Sequence, residues 1–310
     1  MLNILGKRYL FFFLSLSVII PGLIIIAING LPLSIDFRGG SMIEIEMAKD
    51  NAPSSDKIIN LYDNLGISDS QVQISQTQTG VIFVIRSSSM DQEKHAQLIS
   101  NLKKEFDPNL VESRFDTVSP AISQSVTNRA AIAIGIATLA VTIYIIYAFR
   151  GVPHAFRYGI CAILALLHDI LVVISLGAIG SKLFGWQMDS LYLTALLTVI
   201  GFSTQDTIVI FDRIRENSPV LRHIPFEKLA NHSIIQSLQR SINTQLMTVD
   251  YLLLALALFG GVTLREMSIV LLIGFLSGSY SSIFIATPIL VIWDNKEWKT
   301  WFRKNKPSQA

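Results

Sequence analysis

Long apolar runs with almost no charge constrain this chain more than any other feature. A helix needs about 20 mostly apolar residues to cross a bilayer, and six segments approach or exceed that length. These segments are Tyr9–Ile28, Ala130–Phe149, Tyr158–Ile179, Leu191–Phe211, Thr244–Phe259 and Ser268–Trp293. Charged residues make up only 15% of the chain, against roughly 25% in an ordinary soluble domain. The sequence therefore predicts a polytopic α-helical membrane protein with six transmembrane helices.

Lysine and arginine residues predict the orientation of these helices, because short cytoplasmic loops carry an excess of both. The basic regions are the N-terminus, the loops after the second and fourth spans, and the C-terminal tail. All four fall on one side of a six-span topology, and the two short loops on the other side hold only Lys182 and Arg265. We therefore expect both termini to be cytoplasmic and the first span to be an uncleaved anchor.

Between the first two spans the composition changes to polar, with short periodic patterns that predict a separate α+β domain. In chain order the patterns predict a strand at Ser41–Met47, a helix at Pro53–Leu65, a hairpin of Val72–Gln76 and Val81–Arg86, a helix opened by a capping box at Ser89 and Gln92, and a strand at Val111–Val118. The order βαββαβ is ferredoxin-like. A long domain crosses the membrane largely regardless of its charge, so we expect this one to be extracytoplasmic.

The predicted organisation has four parts. Residues 1–28 form the cytoplasmic N-terminus and first transmembrane helix, and residues 29–128 form the extracytoplasmic domain. Residues 129–294 form a five-helix transmembrane bundle, and residues 295–310 form a basic cytoplasmic tail. The segment 217–239 is expected to be an amphipathic helix at the cytoplasmic membrane surface.

A glycine pair follows the first span in the sequence Asp36-Phe37-Arg38-Gly39-Gly40. Glycine adopts a positive φ angle without steric cost, so the pattern is typical of a tight structural turn. No helix is expected after the glycines, which disfavours a phosphate-binding loop.

An ionisable side chain at membrane depth is costly, and Asp206 in the fourth span is therefore a functional candidate. Thr194, Thr198, Gly201 and Gln205 form a polar stripe on one face of that helix, and Asp206 lies at its edge. Two interpretations remain open. The carboxylate either takes up and releases a proton, or it only hydrogen-bonds a neighbouring helix.

Two further groups of polar residues lie in or beside the predicted spans. Arg240 and Thr244 share a face of the fifth span, and Arg240 either extends to the interface or points inward toward Asp206. His168 and Asp169 lie inside the third span and either relay protons or form a hydrogen-bonded core contact. In the sixth span, Gly274-x-x-x-Gly278-x-x-x-Ser282 predicts a close helix-packing face.

Several classes of function are disfavoured by the same residues. The single cysteine, Cys161, rules out an intrachain disulfide and a metal cluster built on thiolates. The net charge of +2 does not suggest a nucleic-acid partner. An intramembrane aspartyl protease using Asp169 and Asp206 would place them in YD and GxGD contexts, which neither occupies. The chain is therefore not expected to be an enzyme, and no cofactor is expected.

Four stretches together resemble the SecD/SecF family of protein-export subunits. They are Gly201–Asn217 with the sequence GFSTQDTIVIFDRIREN, the D-F-x-G-G pattern at Asp36–Gly40, Ala162–Asp169, and Arg240–Thr244. The stretches extend over nearly the whole chain, and the Gly201–Asn217 motif is highly specific. The resemblance also implies a relation to exporters of the resistance-nodulation-division (RND) type.

The resemblance implies a location, partners and an energy source. The protein is expected in the bacterial inner membrane, in contact with lipid and paired with SecD beside the SecYEG channel, with YajC and YidC and with secreted preprotein chains. The proton-motive force would drive the complex, and Asp206 and Arg240 match the family's functional aspartate and arginine. A small-molecule exporter of the RND type is the alternative, which the small outer domain disfavours.

Overall fold

Five helical segments of the computed structural model are long and apolar enough to cross a membrane, among the residues that the structure describes, which are 4–76, 80–150, 155–245, 251–297 and 299. These segments are Leu5–Asn29, Pro120–Ala148, Ala155–Phe184, Ser190–Val220 and Leu264–Asn295. The fifth predicted span, Thr244–Phe259, includes residues 246–250, which lie outside the described residues.

Helices and strands are numbered separately, each in chain order. The long ones are α1 (Arg8–Asn29), α5 (Pro120–Ala148), α6 (Ala155–Phe184), α7 (Ser190–Val220), α8 (Phe226–Gln245) and α10 (Val262–Ser281). The short ones are α2 (Ile35–Arg38), α3 (Ser55–Asn64), α4 (Gln92–Glu105), α9 (Tyr251–Phe259) and α11 (Thr287–Asn295). A π-helical turn at Ser282–Ala286 joins α10 to α11.

Four antiparallel strands form one sheet, in the order β2-β3-β1-β4. They are β1 (Gly40–Met47), β2 (Gln71–Gln76), β3 (Val81–Ser87) and β4 (Val111–Val118). With α3 between β1 and β2, and α4 between β3 and β4, the chain order is the predicted βαββαβ. We call residues 32–118 the sheet domain.

Alternation along β1 produces the core of the sheet domain. Ile43, Ile45 and Met47 are buried with residues of α3 and α4, while Glu44 and Glu46 point to the other face. This is the predicted pattern, because successive side chains of a strand point to opposite faces. The predicted hairpin is also confirmed, since β2 and β3 pair antiparallel from Gln71 opposite Arg86 onward.

Two helix boundaries in the structure differ from the predicted ones. The capping box at Ser89 is wrong: α4 begins at Gln92, and the side chain of Asp91 accepts a hydrogen bond from the Lys94 N–H at 2.9 Å. Aspartate is a favourable N-cap residue that makes this contact, so Asp91, directly before Gln92, caps α4 in place of Ser89. Helix α5 begins at Pro120, about three turns before the predicted span, because its first residues are polar and lack the apolar signal.

Helix α7 continues beyond its predicted end at Phe211 and stops at Val220. The charges that follow Phe211 pair along the helix instead of ending it, since Arg215 contacts Asp212 at 2.8 Å and Arg213 contacts Glu216 at 2.6 Å. Pairs at this spacing support an exposed helix. The predicted amphipathic segment 217–239 is consequently divided between the end of α7 and α8, with a break between them.

The chain divides into two compact units. One consists of residues 1–21, 134–176 and 194–310, and it contains most of the long helices. The other consists of residues 22–133 and 177–193, so it holds the sheet domain together with the ends of several long helices. Because residues 190–193 belong to the second unit, the first turn of α7 is grouped with the sheet domain, while the rest of α7 belongs to the first unit.

Candidate functional site in the transmembrane helices

Asp169, on α6, lies at the centre of a buried network of serine hydroxyls. Its side chain is fully buried. Ser203 of α7 donates to Oδ2 at 2.5 Å, and from α10 Ser277 donates to Oδ1 at 2.7 Å and Ser281 donates to Oδ2 at 2.6 Å. Carboxylate oxygens accept hydrogen bonds, and three hydroxyl donors converge on this one side chain. Asp169 thus joins three helices through one side chain.

Asp206, on α7, is the second buried carboxylate of the bundle, with 7% of its surface exposed. It accepts a hydrogen bond from Ser279 of α10 at 2.8 Å. One helical position further, Thr207 shares a hydrogen bond of 2.8 Å with Ser282. Both carboxylates are therefore served by hydroxyls from one serine-rich segment, Ser277–Ser282.

The segment Ser277–Ser282 is the part of the site that sequence analysis missed. The small residues of the sixth span predicted close packing, and this is confirmed. A side chain at Gly274 would overlap Val199, and one at Gly278 would lie 3.0 Å from the Cβ of Ser203. The serines between and beyond these glycines are brought against α7 by the same close approach. Four serines within six residues of an apolar span were the available signal.

The π-helical turn follows this segment directly. Thr287 donates from Oγ1 to the Ser282 carbonyl, five residues earlier, at 3.0 Å. Because a π turn widens the helix by one residue, it shifts which side chains face inward, and such turns are frequent at functional sites. Ser281 and Ser282, adjacent in sequence, are both fully buried here.

His168 extends the network toward α1. Its Nδ1 lies 3.1 Å from Oδ1 of Asp169, and its ring stacks on Tyr280 with centroids 6.1 Å apart. Tyr280 in turn donates to the Phe11 carbonyl at 2.7 Å. Among the described residues, Nε2 of His168 is buried without a hydrogen-bond partner. One nitrogen of the imidazole is therefore engaged by Asp169.

Arg240 and Thr244 lie on α8 and are both exposed on the surface of this chain. The ion pairs between described residues do not include one from Arg240 to Asp206. The structure thus brings His168 and Asp169 together and leaves Arg240 and Thr244 outside that cluster.

The turn at Asp36–Gly40 is a separate site in the sheet domain. Gly39 has a φ of +81° and Gly40 a φ of +128°, conformations that other residues rarely adopt. A Cβ at Gly40 would also overlap the carbonyl oxygen of Ser87. Oδ2 of Asp36 accepts hydrogen bonds from Ser190, from its N–H at 2.8 Å and from its hydroxyl at 2.6 Å.

The fold and the site define a class: a multi-pass membrane protein with a small antiparallel sheet domain and two buried carboxylates served by serines. Two family models match it. "Protein export membrane protein SecD/SecF, C-terminal" matches residues 98–296, and "SecD/SecF GG Motif" matches residues 24–50.

Individual relatives show which member of the SecD/SecF family the chain is similar to. The chain is 58% identical to the protein translocase subunit SecF of Anaerolinea thermophila, with both chains covered completely. It is 32% identical to the protein translocase subunit SecDF of Bacillus subtilis, covering 95% of this chain and 38% of that longer protein. The chain belongs to the SecF family of protein translocase subunits.

A solved structure agrees. The crystal structure of SecDF, a translocon-associated membrane protein from Thermus thermophilus, is similar with a TM-score of 0.83 and 28% identity. The match covers 95% of this chain and 39% of that chain. These relatives support the expected role in protein export over the alternative of a small-molecule exporter.

Proposed function

We propose that this chain is one half of a SecDF complex that uses the proton-motive force to promote preprotein translocation through the SecYEG channel. The observation that carries the proposal is the match to SecF along the whole chain, together with a buried carboxylate pair in its membrane helices. The complex would act without a cofactor in the bacterial inner membrane, beside YajC and YidC.

SecD is the proposed direct partner. In the Bacillus subtilis relative the part similar to this chain makes up 38% of one longer SecDF protein. Helix α7 has a polar face that this chain leaves uncovered, since Thr194, Gly201 and Gln205 are exposed. Polar side chains facing lipid are costly, and glycines allow helices to approach closely. We therefore assign this face of α7 to contact with SecD.

Ion pairs near the helix ends support the proposed orientation. Arg8 contacts Glu227 at 3.0 Å and Glu297 at 2.7 Å, and Arg157 contacts Asp294 at 3.2 Å. We infer from these pairs that one side of the membrane holds the N-terminus, the loops after the second and fourth spans, and the start of the tail. We assign that side to the cytoplasm because it carries the lysine and arginine excess.

The same contacts support a sixth crossing. Glu227 and Glu297 both contact Arg8 and so lie on the same side. The segment Leu264–Asn295 is long and apolar enough to cross the membrane once between them. A second crossing is needed to return the chain, and the apolar helix α9 (Tyr251–Phe259) lies in the interval. We also propose that the sheet domain is ferredoxin-like, which its strand order supports.

The orientation is tested with single cysteines in a Cys161→Ser background and a thiol reagent that does not cross membranes. Lys103 and Arg222 are both exposed, the first on α4 and the second between α7 and α8. Lys103→Cys is expected to react in spheroplasts, and Arg222→Cys only after the membrane is opened. The reverse pattern would invert the proposed topology.

Within the pair of aspartates, Asp206 is the proposed proton carrier. Asp169 is held by three serines from two other helices, which favours a structural role for its carboxylate. His168 is the proposed relay between the carboxylates and water, because its Nδ1 contacts Asp169 and an imidazole has two nitrogens that can each donate or accept a hydrogen bond. Arg240 and Thr244 are proposed to complete the path when SecD covers their side of the chain.

The proposal is tested in inverted membrane vesicles that hold the translocase and this subunit with its SecD. Asp206→Asn removes the titrating group and keeps the size of the side chain. The matched control is Asp212→Asn, the same change on α7 at a residue whose side chain is 43% exposed and paired with Arg215. Preprotein translocation is measured with and without a proton gradient.

We expect Asp206→Asn to retain assembly with SecD and to lose the gradient-dependent part of translocation, while Asp212→Asn behaves as wild type. Wild-type behaviour of Asp206→Asn would make Asp206 a structural residue and would remove the proposed mechanism.

A further inference from the structure

The short segment before β1 is hydrogen-bonded to the chain immediately before and at the start of α7. The Met188 N–H donates to the Pro32 carbonyl at 2.7 Å, and the Ser34 N–H donates to the Met188 carbonyl at 2.9 Å. Two residues further along each segment, Ser190 donates its N–H and its hydroxyl to Asp36. Four hydrogen bonds thus join residues 32–36 to residues 188–190.

On its other side, the same segment is fixed to the sheet and to α5. Gly40 is the first residue of β1 and packs against the Ser87 carbonyl of β3. Thr127 of α5 donates to the Phe37 carbonyl at 3.1 Å. Gly39 lies close to Ser123 of α5. Residues 32–40 therefore cannot shift away from the sheet without breaking contacts on both sides.

Asp36 also lies at the N-terminus of α7, where the helix dipole favours a negative charge. Asp189, next to it, accepts a hydrogen bond from the Tyr192 N–H at 2.8 Å and caps the same helix from within its own chain segment. Burial raises the pKa of Asp189, the neighbouring charge of Asp36 adds to that shift, and Arg86 opposes it. Both aspartates stabilise the N-terminus of α7, but only Asp36 belongs to the sheet domain.

We propose that Asp36 is a positioning residue that clamps the sheet domain to the first turn of α7, so that movement of the domain is transmitted along the helix to Asp206. Asp206 lies about 24 Å further along α7, at 1.5 Å per residue. The inference rests on the proposed function. In it, the Asp36–Gly40 turn joins the sheet domain to the helix that carries Asp206.

The clamp is tested by removing it and then restoring it covalently. Asp36→Ala removes the acceptor for both Ser190 donors. Asp189→Ala is the matched control, because it removes a cap of the same helix and leaves the link to the sheet domain. Leu33 and Met188 are paired in a β-bridge, a spacing that suits a disulfide. Leu33→Cys with Met188→Cys, in a Cys161→Ser background, provides the covalent replacement.

Each variant is assayed with SecD in inverted vesicles for gradient-dependent translocation, with Asp206→Asn as the reference for its complete loss. We expect Asp36→Ala to fall to the level of Asp206→Asn and Asp189→Ala to retain most of the wild-type value. Asp36→Ala combined with the oxidised cysteine pair is expected to recover, and to lose the recovered activity on reduction.

The proposal is overturned if Asp36→Ala retains gradient dependence, if Asp189→Ala loses as much, or if a fully formed disulfide fails to restore activity. Amide hydrogen exchange of residues 187–193 in the purified SecD complex tests the clamp without reference to transport. Asp36→Ala should speed that exchange and the disulfide should slow it again. Normal gradient dependence in Asp206→Asn would refute the proposed function, while the exchange result would still decide whether the clamp exists.

Discussion

Three serine hydroxyls converge on Asp169, and this arrangement makes the residue a structural support of the bundle. A hydrogen bond between buried groups contributes modestly to stability, but a buried donor left without an acceptor costs about 1–3 kcal/mol. Ser203, Ser277 and Ser281 would all lose their shared acceptor if Asp169 were truncated. Of these three hydroxyls, only that of Ser281 has a second hydrogen-bond acceptor within the described part of the chain, the Gly278 carbonyl at 3.1 Å.

Asp169→Ala is therefore expected to lower the stability of the protein by at least about 2 kcal/mol, from two stranded donors. Asp169→Asn keeps one acceptor oxygen and should lie between Ala and wild type. Thermal unfolding in detergent measures the order. Thr142→Val is the control, since that hydroxyl donates to the Thr138 carbonyl of its own helix. Equal melting temperatures for Asp169→Ala and Thr142→Val would contradict the structural role.

In the sheet domain, Asp107 ties two segments together. Its buried side chain accepts hydrogen bonds from the Ala48 N–H at 3.0 Å and the Asn109 N–H at 2.9 Å. These two backbone donors lower the pKa of Asp107, the Ala48 contact most strongly. A carboxyl whose pKa is lower in the folded state stabilises the fold above its unfolded pKa of about 3.9. That stabilisation is lost as the pH falls through the lower, folded value.

Hydrogen exchange at Ala48 and Asn109 is expected to accelerate as the pH is lowered below about 4, after correction for the intrinsic rate. Asp107→Asn keeps the shape and removes the titration, so its corrected rates should be faster at neutral pH and less dependent on pH. A wild-type protein whose corrected rates do not change in acid would contradict this assignment.

At the scale of elements, the close contact between α7 and α10 depends on glycine, which has no side chain, at Gly274. A Cβ at Gly274 would overlap Val199, whereas one at Gly135 of α5 meets no atom within 4 Å. Added groups in a packed interface cost about 1–3 kcal/mol, while alanine in place of an unconstrained helical glycine favours the helix. Gly274→Ala should lower the melting temperature in detergent, and Gly135→Ala should leave it unchanged or raise it. A loss of equal size in both would show that packing against Val199 is not the cause.

The periodicity of apolar residues predicted the elements that have one buried face and one exposed face. The alternation of Ile43, Ile45 and Met47 located β1, because one face of the sheet is buried and the other is not. The start of α5 at Pro120 was missed, because a polar helix outside the membrane has no apolar signal. The start of a helix depends on its N-cap residue, here Asp91. Several residue types, serine and aspartate among them, are able to act as an N-cap, so the sequence alone does not single out one of them.

The candidate site was predicted in part for a related reason. Burial of a charge in an apolar run is visible in sequence, and it singled out Asp169 and Asp206. Which residues serve them depends on how α6, α7 and α10 approach one another, and a sequence without its relatives does not specify that. Serine is common in membrane helices as a packing residue, so Ser277, Ser279 and Ser281 were not distinguished from their small neighbours.

At the scale of the whole molecule, the exposed polar face of α7 indicates an incomplete assembly. Gly201 and Gln205 are exposed in the midst of an apolar helix, and a Cβ at Gly201 meets no atom within 4 Å. Gln205 would lose hydrogen bonds on this face in contact with lipid, and a polar partner helix would restore them. Because this chain matches 38% of the longer SecDF protein of Bacillus subtilis, we propose SecD as the chain that provides that helix.

A tryptophan at Gly201 should therefore obstruct the assembly without disturbing the fold of this subunit. We expect Gly201→Trp to reduce the amount of SecD that copurifies, while its melting temperature as an isolated subunit in detergent stays near the wild-type value. Ile136→Trp is the control, because Ile136 is 62% exposed on α5. The residues one turn away on either side are apolar: Ile132, Ala133, Leu139 and Ala140. Undiminished copurification with Gly201→Trp, or equal losses in both variants, would assign this face to lipid. The polar stripe of α7 would then need another partner, and the association with SecD would have to rest on a different helix.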